Sequence, residues 1–212
     1  MLTVIGILIY SKINQLEEKV YNTNKFMHEL LVNERFENLK EEKSTDIILG
    51  NNEAPLTMLI FSRYGCSVCS DFYNNVYPKL YTDFVEKGTL KIVIRQMVHT
   101  SRPKILYTSK ATLFAFKNNI YTDFKHQISN SNPELDIEIT NNLISKHIDN
   151  IESYQVFMND SIVENTLLKN AQEARKSGVK GTPSFLIGNT KIYGSRPYKR
   201  FKKIIEEELK KL

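Results

Sequence analysis

TMLIFSRYGCSVC, residues 57–69 of a 212-residue chain, runs from an apolar stretch into two cysteines three positions apart. Thr57–Phe61 has the length and apolar content of a buried strand, and Gly65 stands where a tight turn would precede Cys66. Downstream, Phe72, Val76, Leu80 and Phe84 recur at helical spacing. Strand, turn and helix follow, with the cysteines at the helix start. Leu90–Val98 (LKIVIRQMV) is a second apolar run, and Gly88 marks the turn before it. Strand, helix and strand within this length predict a right-handed βαβ unit with two parallel strands.

A thiolate, not a thiol, is the sulfur nucleophile, and the free N–H groups and positive dipole end of a helix stabilise it. Cys66 falls at that end. Cys69 lies one turn later on the same face, from which it can attack a mixed disulfide formed at Cys66. No other cysteine occurs, so any intramolecular disulfide joins these two. A loop so small gains little from closure entropy, which argues against a structural staple. Zinc would require about four protein ligands in a structural site and about three in a catalytic one. There is no second C-x-x-C, and His28, His99, His126 and His147 lack metal-ligand spacing. The reading is therefore no metal and no cofactor beyond a redox-active Cys66–Cys69 disulfide.

Arg102–Gly178 contains no strand-like run but helical patterns around Ala111–Phe116, Ile139–Ile148, Ile151–Met158 and Val163–Lys176, the last stopping at Gly178. Strands resume with Ser184–Ile187 (SFLI) and Thr190–Tyr193 (TKIY), joined by Gly188-Asn189 as a two-residue hairpin turn. Pro197 opens a closing helix with Phe201, Ile204, Ile205, Leu209 and Leu212 on one face. At the other end, Leu2–Tyr10 (LTVIGILIY) is continuously apolar but about half the length that spans a membrane. Residues 1–10 are read as a membrane anchor or signal remnant, or alternatively as a short buried helix end. Residues 11–45 read as a helical stalk, with Ile13, Leu16, Val20, Met27 and Leu30 at three-four spacing. Such a stalk either pairs with a copy of itself or lies on the domain as a lone amphipathic helix. The main domain is expected at 46–212, with a helical insertion at about 102–178.

Overall composition is that of a globular protein, 41% hydrophobic and 25% charged, and the net charge of +5 comes from 29 basic and 24 acidic residues. No basic stripe with interleaved aromatics appears, so nucleic-acid binding is not expected.

Val179-Lys180-Gly181-Thr182-Pro183 precedes the Ser184–Ile187 strand, and a proline at a strand entrance is where a cis peptide can be held. With the βαβ–CSVC unit, the helical insertion, this V-x-G-T-P segment, the hairpin and the closing helix in one order, residues 47–212 resemble the DsbA-like branch of the thioredoxin superfamily. The resemblance implies an α/β, thioredoxin-like fold with a helical insertion between the βαβ half and the C-terminal ββα half. It implies that Pro183 is cis beside the cysteines and, with Cys66 and Cys69, part of the catalytic site. It also implies that Thr182 offers its backbone to an extended substrate peptide. Many relatives carry a buried acid six residues before the first cysteine to help deprotonate the second; Ile60 stands there, and the sequence names no replacement. Arg63 reads either as a stabiliser of the Cys66 thiolate or as a solvated surface cation.

The resemblance implies a thiol–disulfide oxidoreductase acting on unfolded, cysteine-containing exported proteins, foremost a dithiol oxidase recharged by a membrane partner of DsbB or DsbD type. An isomerase or reductase is the nearest alternative, and self-association through residues 11–43 would favour the isomerase. A metallochaperone or a binding module that merely keeps the fold is the alternative of a different class. An oxidising compartment, the cell envelope or periplasm, is the expected location, because a cytosolic cysteine pair would be held reduced.

Overall fold

Five strands form one sheet in the order β1-β3-β2-β4-β5 in a computed structural model that describes residues 2–130 and 136–212. The strands are β1 (Ile47–Leu49), β2 (Leu56–Ser62), β3 (Leu90–Gln96), β4 (Ser184–Ile187) and β5 (Thr190–Tyr193). β2 runs parallel to β3, with Met58 opposite Ile92 and Ile60 opposite Ile94, while β1–β3, β2–β4 and β4–β5 are antiparallel. β2 is thus central and buried on both faces, which explains its unbroken apolar sequence.

The chain divides into two units, Met1–Glu41 and Glu42–Leu212. The first is dominated by a single helix, α1 (Leu2–Lys40), 39 residues long, so one helix crosses the boundary between the 1–10 and 11–45 segments that the sequence separates and ends at Lys40, short of the expected limit. Val4, Ile5, Ile7 and Ile9 are exposed, as are Ile13, Leu16, Val20 and Met27. The side chains of Leu30, His28 and His126 lie outside the described residues. Among the described residues no helix is long and apolar enough to cross a membrane. The anchor expected at 1–10 therefore finds no support: its apolar run stops after nine residues, and Lys12, Glu17, Glu18 and Lys19 occupy the turns that follow.

In the second unit, β2 leads into α2 (Ser67–Asn75), α3 (Tyr77–Leu80) and a π-helical turn, Tyr81–Val85, before β3. Phe72, Val76, Leu80 and Phe84 are all buried, but they do not share one unbroken helix. Pro78, in the first turn of α3, cannot donate a backbone hydrogen bond, and the helix breaks at Val76 with φ −117°. The insertion comprises α4 (Pro103–Lys117), α5 (Tyr121–Asn130), α6 (Ile137–Ser145), α7 (Ile151–Asn159) and α8 (Ser161–Lys176). Asp136, Asn150 and Asp160 cap α6, α7 and α8, each accepting a backbone N–H of the first turn. These helices bury a core of their own, including Phe114, Phe124, Ile128, Ile144 and Tyr154.

The closing helix α9 (Tyr198–Leu209) buries Phe201, Ile204 and Ile205 against the sheet core. Leu212, expected on that face, lies beyond the helix end and is 76% exposed. At the hairpin, Gly188 has φ +54°, a conformation that favours glycine, and a Cβ there would lie 2.4 Å from Oε2 of Glu208, whose side chain would have to shift. Glu208 reaches from α9 to accept a hydrogen bond from the Thr190 hydroxyl at 2.8 Å. β1 completes the sheet edge, and the preceding Asp46 pairs bidentately with Arg95 of β3, at 2.9 Å to Nε and 2.6 Å to Nη2, with both side chains buried.

Candidate active site

Three segments converge at the end of β2. β2 delivers Arg63, Tyr64 and Gly65, and Gly65 turns the chain with φ +68°, a conformation that favours glycine. Cys66 then takes the N-cap position of α2 with extended backbone, φ −105° and ψ 109°. Its sulfur accepts the backbone N–H of Cys69 at 3.4 Å, as a capping serine hydroxyl would. The Cys66 carbonyl receives the Ser70 backbone N–H at 3.0 Å, closing the first turn. Helix geometry therefore aims unpaired N–H groups at the Cys66 sulfur.

The third segment is the strand entrance at Thr182–Pro183. That peptide bond is cis. The Cys66 thiol donates to the Thr182 carbonyl at 3.3 Å, so residues 116 positions apart meet at the sulfur. Pro183 is buried, and its carbonyl accepts the Gly194 N–H at 2.8 Å, which ties the entrance to the far end of the hairpin.

Both cysteines are free thiols, 8% and 3% exposed. Burial, the largest influence on Cys66, would raise its pKa. It is outweighed by contacts with Thr182, with the thiol and backbone N–H of Cys69 and with the charge of Arg63, so the pKa lies below the ordinary thiol value. Cys69 moves the opposite way, to about 11, chiefly through burial and then through its hydrogen bond to Cys66. One sulfur is prepared to carry charge and the other to keep its proton.

The fold assembles Cys66, Cys69, Thr182 and Pro183 in one place, with Arg63 half-buried beside them. His99, which follows β3, is exposed and hydrogen-bonds Ser101 at 2.8 Å. Ile60 is fully buried between Ile94 and Phe185, deep in the sheet core. Tyr64 stands before the motif where the resembled family often has an aromatic residue, while Tyr73 is not singled out by the sequence reading. Tyr64 packs on the insertion core, and its hydroxyl lies 2.7 Å from Thr112 Oγ1, with burial pushing its pKa up to about 12. Tyr73 sits one turn after Cys69 on α2, and the i, i+4 spacing of Tyr73, Tyr77 and Tyr81 is the signal that marks this aromatic row. Val68, at the tip between the cysteines, is 45% exposed and gives the surface beside Cys66 an apolar character.

The Thioredoxin family model matches residues 42–207. Disulfide bond formation protein D of Bacillus subtilis (strain 168) is 24% identical over 170 residues, 77% of each chain. Among solved structures, BdbD from Bacillus subtilis in its oxidised form is similar with a TM-score of 0.68 at 22% identity, covering 78% of this chain and 94% of that one. Wolbachia pipientis alpha-DsbA1 is similar with a TM-score of 0.72 at 20% identity, covering 82% and 96%. These structural likenesses speak for the fold.

Proposed function

This chain belongs to the thioredoxin family and is a thiol–disulfide oxidoreductase, and from that premise we propose that Cys66 and Cys69 are its redox pair and that it oxidises dithiols in exported proteins. In the oxidised enzyme, a substrate thiolate attacks the Cys66 sulfur of the Cys66–Cys69 disulfide. The S–S bond breaks and Cys69 leaves with the electron pair, taking up a proton. A second substrate thiolate then attacks the substrate sulfur of the mixed disulfide, and Cys66 leaves as a thiolate. The leaving group with the lower pKa departs faster, and stabilising it makes the reduced enzyme the favoured product.

The observation that carries this reading is Cys66 at the N-cap of α2, its sulfur accepting the Cys69 N–H at 3.4 Å and meeting the Thr182 carbonyl at 3.3 Å, with the downward shift of Cys66 and the upward shift of Cys69 in keeping with it. Thr182 and the Pro183 strand entrance are the binding ledge in this account. The Thr182 carbonyl, held by the Cys66 thiol in the reduced state, becomes free to accept an N–H of an extended peptide once Cys66 is engaged. Recognition through backbone is tolerant of side chains, which suits many unfolded clients, and exposed Val68 adds an apolar contact beside the reacting sulfur. A membrane partner of DsbB type would restore the disulfide, and an extracytoplasmic location supplies the oxidising setting.

An isomerase is the second reading. It is favoured by the exposed Ile13, Leu16, Val20 and Met27 of α1, a seam through which copies of the chain could associate. Equilibrium titration of the pair against glutathione separates the readings on direction. A potential near about −120 mV marks an oxidant, and one near about −270 mV marks a reductant and overturns the oxidase assignment.

A further inference from the structure

The segments that meet at Cys66 are strongly basic, although the whole chain carries 29 basic and 24 acidic residues. Residues 62–71, 97–104 and 174–183 contain six cations, Arg63, Arg102, Lys104, Arg175, Lys176 and Lys180, and a single acid, Asp71. Hydrogen bonds hold these segments together. The Met97 N–H donates to the Ser62 carbonyl at 2.7 Å, which sets the start of the 97–104 loop beside Arg63. The Arg175 guanidinium donates to the Val98 carbonyl at 3.0 Å, fastening the last turn of α8 to the same loop. Gly178 and Val179 then turn the chain, their N–H groups bonding the Arg175 and Ala174 carbonyls. Lys180 follows, two residues before Thr182, whose carbonyl meets the Cys66 thiol at 3.3 Å.

Five of the six cations are exposed, and Arg63 is half-buried. Elsewhere in the molecule basic side chains face carboxylates, as Lys91 faces Glu42, Lys110 faces Glu164 and Lys202 faces Glu206. Among the described residues none of the six has such a partner. The two acids that adjoin these segments in sequence are already engaged. Asp71 accepts hydrogen bonds from the Ser195 hydroxyl at 2.7 Å and from the Asn75 amide at 2.8 Å, and Glu173 lies 4.0 Å from Lys169. The positive surplus also outlasts the reaction, which develops at most one negative charge here, on the Cys66 thiolate.

An extended peptide bonded to the Thr182 carbonyl passes beside Lys180, because two residues of chain span at most about 7 Å. Arg63 stands three residues before Cys66, and its charge is felt at that sulfur. One sign of charge gathered at the mouth of a site speeds the encounter with partners of opposite sign and disfavours those of the same sign. We propose that this surface grades substrates: Arg63 and Lys180, backed by the cations of the 97–104 loop and the end of α8, favour clients whose reacting cysteine is flanked by aspartate or glutamate. Backbone pairing at Thr182 stays indifferent to side chains, so charge ranks clients without excluding any. The proposal rests on the reading of Cys66 as the attacked sulfur and adds no step to the exchange described above.

The test uses the full chain in its Cys66–Cys69 disulfide form and two dithiol peptides of one sequence, which differ only in having aspartate or lysine beside the cysteines. Second-order rates of peptide oxidation are measured, each divided by that peptide's rate with uncharged hydroxyethyl disulfide. The division removes the effect of flanking charge on the peptide thiols themselves. The aspartate peptide is expected to react about tenfold faster at low salt. Its advantage should fade as salt rises from about 0.01 M to about 1 M and the Debye length contracts from about 30 Å to about 3 Å. Lys180→Gln should cut the ratio of the two rates by about twofold to fivefold, the weight of one exposed charge contact, and Lys180→Arg should restore it. A lysine with a merely structural role would change both rates alike and leave the ratio in place. Equal corrected rates for the wild type at low salt, or a ratio that Lys180→Gln does not move, overturn the proposal. Should the folded protein oxidise neither peptide, the oxidase reading itself fails and the proposal with it, a result distinct from equal rates.

Discussion

Replacing Phe72 tests how the helix that carries the cysteines is held. Phe72 is fully buried on α2 and meets Phe185 of β4 at a centroid distance of 4.6 Å and Phe201 of α9 at 5.4 Å. It therefore ties α2 both to the strand that begins beside Pro183 and to the closing helix. Phe72→Ala removes the transfer energy of the ring and leaves a cavity, for a loss of about 3–5 kcal/mol. Phe72→Leu refills most of the volume but not the ring pairing. Phe72 also pairs with Tyr73 and Tyr77 on its own side, but the two pairs that bridge to β4 and α9, at about 0.5–1.5 kcal/mol each, set the loss across those contacts at about 1–3 kcal/mol. Urea unfolding of the reduced protein, read by far-UV circular dichroism, should rank wild type above Leu and Leu above Ala. Cys66 alkylation in the leucine variant should keep the wild-type pH profile, because that thiol is set by Thr182, Cys69 and Arg63 and not by Phe72. A leucine variant as unstable as the alanine one, or an alanine variant within about 1 kcal/mol of wild type, would refute the account of how α2 is anchored.

The stability of the reduced protein should depend on pH in two opposed ways. Cys66 has its pKa depressed in the fold, so it contributes stability that is fully present above the unfolded thiol value of 9.0 and lost as pH falls through the folded value. Cys69, raised to about 11, contributes stability below 9.0 that is lost as pH rises toward 11. Urea midpoints measured from pH 6 to 11 should therefore climb and then fall, with Cys66→Ser abolishing the climb and Cys69→Ser softening the fall; a flat profile in the wild type would contradict both shifts. Asp46→Ala removes both charge-assisted bonds to buried Arg95 and should destabilise by about 3–5 kcal/mol in the same assay. Gly65→Ala forces a side chain into the left-handed region at φ +68° and should cost roughly 1–2 kcal/mol, with slower reaction of Cys66 if the turn yields instead.

Much of the fold is written in periodicity. Met58–Phe61 of β2 and Ile92–Ile94 of β3 are continuous apolar runs because the sheet centre is covered on both faces, and such runs are hard to mistake. The hairpin is marked by Gly188-Asn189 and the closing helix by its Phe201, Ile204 and Ile205 stripe. Other elements carry weak local signals. β1 has only three residues and earns its place by pairing with β3 and by the Asp46–Arg95 contact across 49 positions. Helix α5 is polar along most of its length, and its stripe, Tyr121, Phe124 and Ile128 at three-four spacing, is carried by only three residues. The break at Val76 follows from Pro78, yet four apolar residues at helical spacing mask it in the sequence.

The site divides in the same manner. Cys66 and Cys69 are three residues apart and legible together, since the chemistry lies in one local motif. Thr182 is legible only through the family pattern, because its contact with Cys66 spans 116 positions.

The division of labour between the two cysteines is tested most directly by trapping the mixed disulfide. Each single variant, Cys66→Ser and Cys69→Ser, is mixed with an oxidised cysteine-containing peptide, quenched with acid and examined by mass spectrometry. The account predicts that Cys69→Ser accumulates a peptide adduct on Cys66, whose thiolate forms readily and has no partner to displace the peptide. Cys66→Ser should accumulate little adduct at neutral pH, because Cys69 is buried and holds its proton to about pH 11. An adduct that forms equally fast on Cys69, or none on Cys66, would contradict the account at its centre.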